Sequence, residues 1–187
     1  MAAMTVDEAR TLMHEWTQSV ALRKHMECVA VCMGAYADRY EPPERDRWIV
    51  AGLLHDMDYE KHPSREEHPF VAVEHLRGAG LVDEEIITAI LGHAEYSGVP
   101  RESTMAKVLF AVDELAGFIG ACCKVRPNGI ADLQPRSVRK KLKDKAFAAA
   151  VSRQDIRQGI EDLGVDQTEH LQACIDALRA ESERLGL

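Results

Sequence analysis

What the chain lacks narrows its class first. It has no stretch of around 18 apolar residues, so no membrane-spanning helix is expected. Residues 1–13 hold Asp7 and Glu8 and no apolar run, so no secretory leader is expected there. Basic residues are scarce: 23 Lys and Arg stand against 31 Asp and Glu, a formal net charge of −8. That argues against binding duplex nucleic acid, which draws on a basic surface. A small anionic ligand would need positive charge gathered locally, from side chains or metal. The five cysteines form no even set, and reduced thiols in a cytoplasmic protein are expected. Cys28 and Cys32, four apart, read as packing on a helix and not as a zinc knuckle. Strand-like alternation is rare, and neither a Gly-x-Ser-x-Gly elbow nor a Gly-rich phosphate loop is present.

What is present is helical spacing almost throughout, on an ordinary globular balance of 46% hydrophobic and 29% charged residues. The spacing predicts helices over about 5–20, 22–39, 44–56, 68–79, 83–93 and 102–123. Ser152 and Asp155 read as a capping box for a helix closed by Gly164, and a last amphipathic helix covers about 166–185. The fold class is therefore all-α. The break at Pro127-Asn128-Gly129 suggests a core over 1–125 and a C-terminal helical appendage over 126–187, packed on that core.

Three places could hold chemistry. His55-Asp56 ends the apolar run 48–54, where a buried carboxylate needs a cation or donors; a solvated helix end would explain the pair equally well. Asp113 shares a helix face with Leu109, Ala116, Gly117 and Gly120, an unusually small face for an acid to occupy, and reads as a ligand or a structural ion pair. Glu114 falls at the rim. His25 lies on an inward stripe with Cys28, Val29, Cys32 and Tyr36, where a lone histidine is more often a satisfied core residue. His14, His62, His75 and His170 lack such context and are expected at the surface.

Taken in order, His25, His55-Asp56 and Asp113, each on a helix, resemble the HD-domain superfamily of metal-dependent phosphohydrolases, in its stand-alone HDIG-like form. The stretch Ala51-Gly-Leu-Leu-His-Asp-Met-Asp-Tyr59 is similar to that family's central helix, and Phe110-Ala-Val-Asp-Glu-Leu115 to its last ligand helix. The resemblance covers about 22–120. It implies a helical bundle in which these four residues hold a divalent metal. His68 and His93 match the two further histidines of the binuclear branches, in which the aspartate of the pair bridges two ions; His68 could also be a simple helix cap before Pro69.

The resemblance also implies an activity: hydrolysis of a phosphate ester or anhydride, in a nucleotide or other small phosphorylated metabolite, by metal-activated water. Imidazole and carboxylate ligands suit Mn, Fe, Co, Ni or Zn, as one or two ions. Asp58 and Lys61 follow the ligand pair and are candidates for moving a proton or touching phosphate. The segment 136–145 holds six basic residues against one acid, so Arg139, Lys140, Lys141 and Lys143 are candidates for binding the substrate, unless they form an ordinary solvated face. Arg101 and Arg126 are weaker candidates of the same kind. Met57, Tyr59, Tyr96 and Lys141 are candidate pocket residues. A di-iron HD-type oxygenase and a non-catalytic nucleotide-binding module are the alternatives, and the last helix could serve a homodimer.

Overall fold

Caps written in the sequence start most helices of the computed structural model, which describes residues 3–187; Met1 and Ala2 lie outside the described residues. Thr5 and Glu8 cap each other's backbone at the start of α1 (Val6–Trp16). That helix was expected to reach residue 20 and stops sooner. Thr17 is extended, and its buried hydroxyl donates to the Met57 carbonyl at 3.1 Å. Glu60 accepts from the Gln18 backbone at 2.5 Å and the Ser19 backbone at 3.1 Å, while Ser19 caps α2 (Val20–Tyr40). These local bonds outcompete helix continuation.

Beyond a 3-10 turn at Pro42–Glu44, α3 (Arg45–Leu54) crosses the middle of the molecule with Trp48, Val50, Ala51, Leu53 and Leu54 buried. Gly52 makes this crossing possible, since a Cβ there would lie 2.7 Å from the Ala30 Cα of α2. The chain then passes through turns to α4 (Phe70–Gly78), α5 (Glu84–His93) and α6 (Thr104–Lys124). Helix α6 packs on both α2 and α5, so α2, α3, α5 and α6 surround one interior.

The remaining helices are α7 (Pro135–Leu142), α8 (Arg153–Leu163), α9 (Gln167–Ala180) and α10 (Ser182–Leu185). The expected final helix is thus broken at Glu181. Helix α8 lies against α6 with Gly159 at the crossing, where a Cβ would come within 2.6 Å of the Ala111 Cα. Helix α9 lies against α2. Apolar residues of the C-terminal helices, from Ile130 to Leu185, belong to the same buried cluster as those of α1 to α6. Among the described residues there is no strand, and no helix is long and apolar enough to cross a membrane.

The start of α8 differs from the expected capping box in an informative way. The Ser152 hydroxyl does accept the Asp155 N–H at 3.1 Å, but the Ser152 N–H donates to Glu114 of α6 at 2.9 Å, not to Asp155. His170 is a second correction. It is 1% exposed, wedged between Tyr36 and the Ala111 carbonyl, because α9 packs that face against α2. All five cysteines are free and buried, as packing residues should be; burial pushes the Cys28 thiol up to about 12.

Candidate metal centre

Helix ends and helix middles deliver six side chains to one point. His25 comes from the start of α2, His55 and Asp56 from the residues just past α3, and Asp113 from the centre of α6. His68 stands two residues before α4, and His93 is the last residue of α5. The absence of a side chain at Gly117, one turn after Asp113, gives the His25 ring its space: a Cβ there would sit 3.7 Å from Nδ1.

Asp56 divides the cluster into two halves. Its Oδ2 faces His25 Nε2 at 3.6 Å and His55 Nε2 at 3.4 Å. Asp113 Oδ1 closes that half, 2.9 Å from His25 and 3.4 Å from His55. In the other half, Asp56 Oδ1 faces His68 Nε2 and His93 Nε2, each at 3.3 Å. The donor atoms form overlapping triads: His25, His55 and Asp56; His55, His93 and Asp113; and Asp56, His68 and His93. All six residues the sequence proposed as ligands therefore meet.

The protons on these rings are set from outside. His55 Nδ1 contacts the Gly52 carbonyl at 2.8 Å, His93 Nδ1 the Ile90 carbonyl, and His68 Nδ1 the Asp58 carboxylate at 2.7 Å. Each of those partners only accepts, so each Nδ1 holds the hydrogen and each Nε2 of the neutral ring turns a lone pair inward. His55 Nε2 is buried and has no hydrogen-bond partner. His68 and His93 point Nε2 at Nε2 across 3.2 Å, a contact in which two neutral rings have no hydrogen to share. Converging lone pairs and two carboxylates ask for a cation, and a divalent metal fits this donor set.

The charges agree. Burial by itself would raise both carboxyls and lower His55. The opposite charges override it, holding Asp56 and Asp113 well below the usual carboxylate range and His55 well above the usual imidazole range. Burial, with help from the Asp113 charge, pushes the neighbouring Glu114 carboxyl up to about 7.

Several other expectations are corrected. Asp58 is fully buried and both its oxygens are taken, one by His68 and the other by the Ala72 N–H at 2.8 Å, so it holds the His68 ring and has no oxygen left over. Lys61 is exposed, with Nζ 5.8 Å from the centre of the Trp16 ring, on the α1 side of the turn. Met57 is buried in the core. A cavity of about 540 Å³ opens at His93 and Asp113, and Tyr96, Glu114 and Arg65 line it. None of Arg139, Lys140, Lys141 and Lys143 does. Lys140 and Lys141 line a separate cavity with Cys122, and Arg139 and Lys143 another with Arg157. Arg101 is paired with Asp162 at 2.8 Å, and Arg126 with Asp132 at 2.7 Å. The Tyr59 and His68 rings meet nearly at right angles, with centroids 5.0 Å apart. Sequence reasoning missed Arg65, which sits in a polar turn without periodicity, and misjudged Asp58, whose partner lies ten residues on.

Comparison with known proteins agrees with this geometry. The HD domain family matches residues 22–117, just over half of the chain and a span that includes all six clustered residues. The match is to the domain and does not single out an HDIG-like subtype. No match was found among curated proteins, and none among solved structures. With its bundle of helices and its His, His-Asp, His, His, Asp order, the chain belongs to the HD-domain family.

Proposed function

We propose that the protein is a metal-dependent phosphohydrolase acting on a nucleotide or other small phosphorylated metabolite. The observation that carries this reading is the pair of ligand triads joined through Asp56 beside an open cavity. His25, His55 and Asp113 would hold one ion and His68 and His93 a second, with one Asp56 oxygen toward each. Divalent metal bound there would bring the pKa of a coordinated water toward about 7 and offset charge on the phosphoryl group. The chain's own part is orientation: Asp58, Gly52 and Ile90 fix which ring nitrogen faces the cluster. Residues 1–125 form the metal-holding core in this reading, and 126–187 an appendage that walls the cavity. What supports that division is the matched span and the Ser152 bond to Glu114.

Metal analysis joined to a phosphate-release assay tests this reading. The protein incubated with Mn, Fe, Co, Ni or Zn is expected to keep about two equivalents of its preferred ion and to release phosphate from small esters. Asp56→Ala, still helical by circular dichroism, is expected to lose both ions and roughly a thousandfold or more in rate. A wild type that retains none of these ions overturns the reading. Iron retention with oxygen uptake and no phosphate release would replace it with the di-iron oxygenase.

A further inference from the structure

We infer that the substrate is a phosphate monoester whose far end presents hydrogen-bond donors, hydroxyl or ammonium, and no second anionic group. This rests on the hydrolase reading for the place of the phosphate and narrows that reading to one class of ester.

The cavity that meets the cluster at His93 and Asp113 contains one basic side chain, Arg65. Its guanidinium lies 5.3 Å from the centre of the Tyr96 ring, and among the described residues no carboxylate is ion-paired with it. A planar fork held in this way matches one phosphate group. The same walls hold Glu95, Glu114 and Asp155, and among the described residues none of the three is paired with a cation. Glu114 receives only the Ser152 N–H, which leaves its other oxygen free. Asp155 is not used in the cap that its backbone joins, so its carboxylate is available at the start of α8.

The distribution of charge is decisive. Metal at the cluster and Arg65 can compensate a single phosphate. A second phosphate further out would meet three carboxyls and no further cation on these walls, because Arg136, Arg139, Lys140, Lys141 and Lys143 line other cavities. Carboxyls on a cavity wall accept hydrogen bonds, most strongly from ammonium and well from hydroxyl. A phosphorylated amino alcohol or polyol satisfies both ends of the cavity, and a nucleoside polyphosphate does not.

Apparent Kd values from ligand-induced thermal stabilisation of the Mn²⁺-supplemented protein test this. The probes are methyl phosphate, glycerol 3-phosphate, O-phosphoethanolamine and ADP, with phosphate release from p-nitrophenyl phosphate followed in parallel. Glycerol 3-phosphate and O-phosphoethanolamine are expected to bind about tenfold tighter than methyl phosphate and than ADP, the scale of one charge-assisted hydrogen bond. In the double variant Glu95→Gln/Asp155→Asn, the advantage of O-phosphoethanolamine is expected to vanish and ADP to bind more tightly. Arg65→Met is expected to weaken every ester to a similar degree. ADP binding tightest, an unchanged order in the double variant, or no binding by any probe overturns the inference. Release from p-nitrophenyl phosphate with ADP preferred sinks the ligand class and spares the hydrolase. The expected binding order without any release does the reverse.

Discussion

His170 and His55 are equally hidden, 1% and 0% exposed, yet their surroundings treat the imidazole in opposite ways. At His170 both nitrogens are matched: Tyr36 donates its hydroxyl to Nδ1, and Nε2–H donates to the Ala111 carbonyl at 3.0 Å. Burial holds that ring's pKa below its ordinary value, so it stays neutral. At His55 only Nδ1 is matched, and Nε2 points toward Asp56 and Asp113 without a bond. A closed polar contact of the first kind fixes α9 on α2 and α6. An open one of the second kind is what the proposed metal site is built on. Burial of a histidine is therefore uninformative until the partner of each nitrogen is known.

The comparison can be broken most forcefully at the element that keeps the cluster open. Asp58 accepts from both His68 Nδ1 and the Ala72 N–H, and an asparagine has a single oxygen with which to do so. Asp58→Asn is expected to free the His68 ring to turn, weakening metal at the His68–His93 half by about 10- to 100-fold. The His25–His55 half should keep its affinity. Competition titration with a chelating dye resolves the two steps, and an equal loss at both would mean that Asp58 supports the bundle as a whole.

An effect of similar size is expected when the closed contact is opened. Tyr36→Phe removes the donor to His170 Nδ1 and leaves a buried acceptor unmatched, a loss of about 1–3 kcal/mol. Denaturant unfolding should show that loss with metal stoichiometry unchanged. A change in metal content would mean that the brace at Ala111, two residues before Asp113, transmits to the cluster.

Local chemistry explains what the sequence made legible. The apolar run 48–54 ending in His55-Asp56 pointed to a polar group carried into the interior, with a solvated helix end as the alternative, and Asp113 on a small face with Gly117 read as a ligand or an ion pair. The partners of His170 were not legible, because they come from residues 134 and 59 positions away, brought together only by packing. The basic segment misled for a geometric reason. Lys141 lines its cavity beside Cys122, nine residues beyond Asp113 on α6. At 3.6 residues per turn that is two and a half turns, which puts the two on opposite sides of the helix. Charge composition located the cations but not the face they occupy.

The smallest effect separates the two histidines by the sign of their pH dependence in the metal-free protein. His170 has a folded pKa below its ordinary 6.5, so at mildly acid pH the unfolded chain takes a proton that the folded protein refuses. Its contribution is present above about 6.5 and declines as pH falls toward the folded value. His55 has a folded pKa above 6.5, so its contribution is fully present below 6.5 and is lost as pH rises through the folded value. Comparing wild type with His170→Gln by denaturant unfolding isolates the first term. The wild-type advantage is expected to shrink as pH falls from 6.5 to 5.5. Saturating metal should abolish the His55 contribution, since a cation then takes the proton's place, while leaving that shrinkage intact. A stability gap that stays constant across this range would show that His170 is not held neutral, and the contrast between the closed and open sites would fall with it.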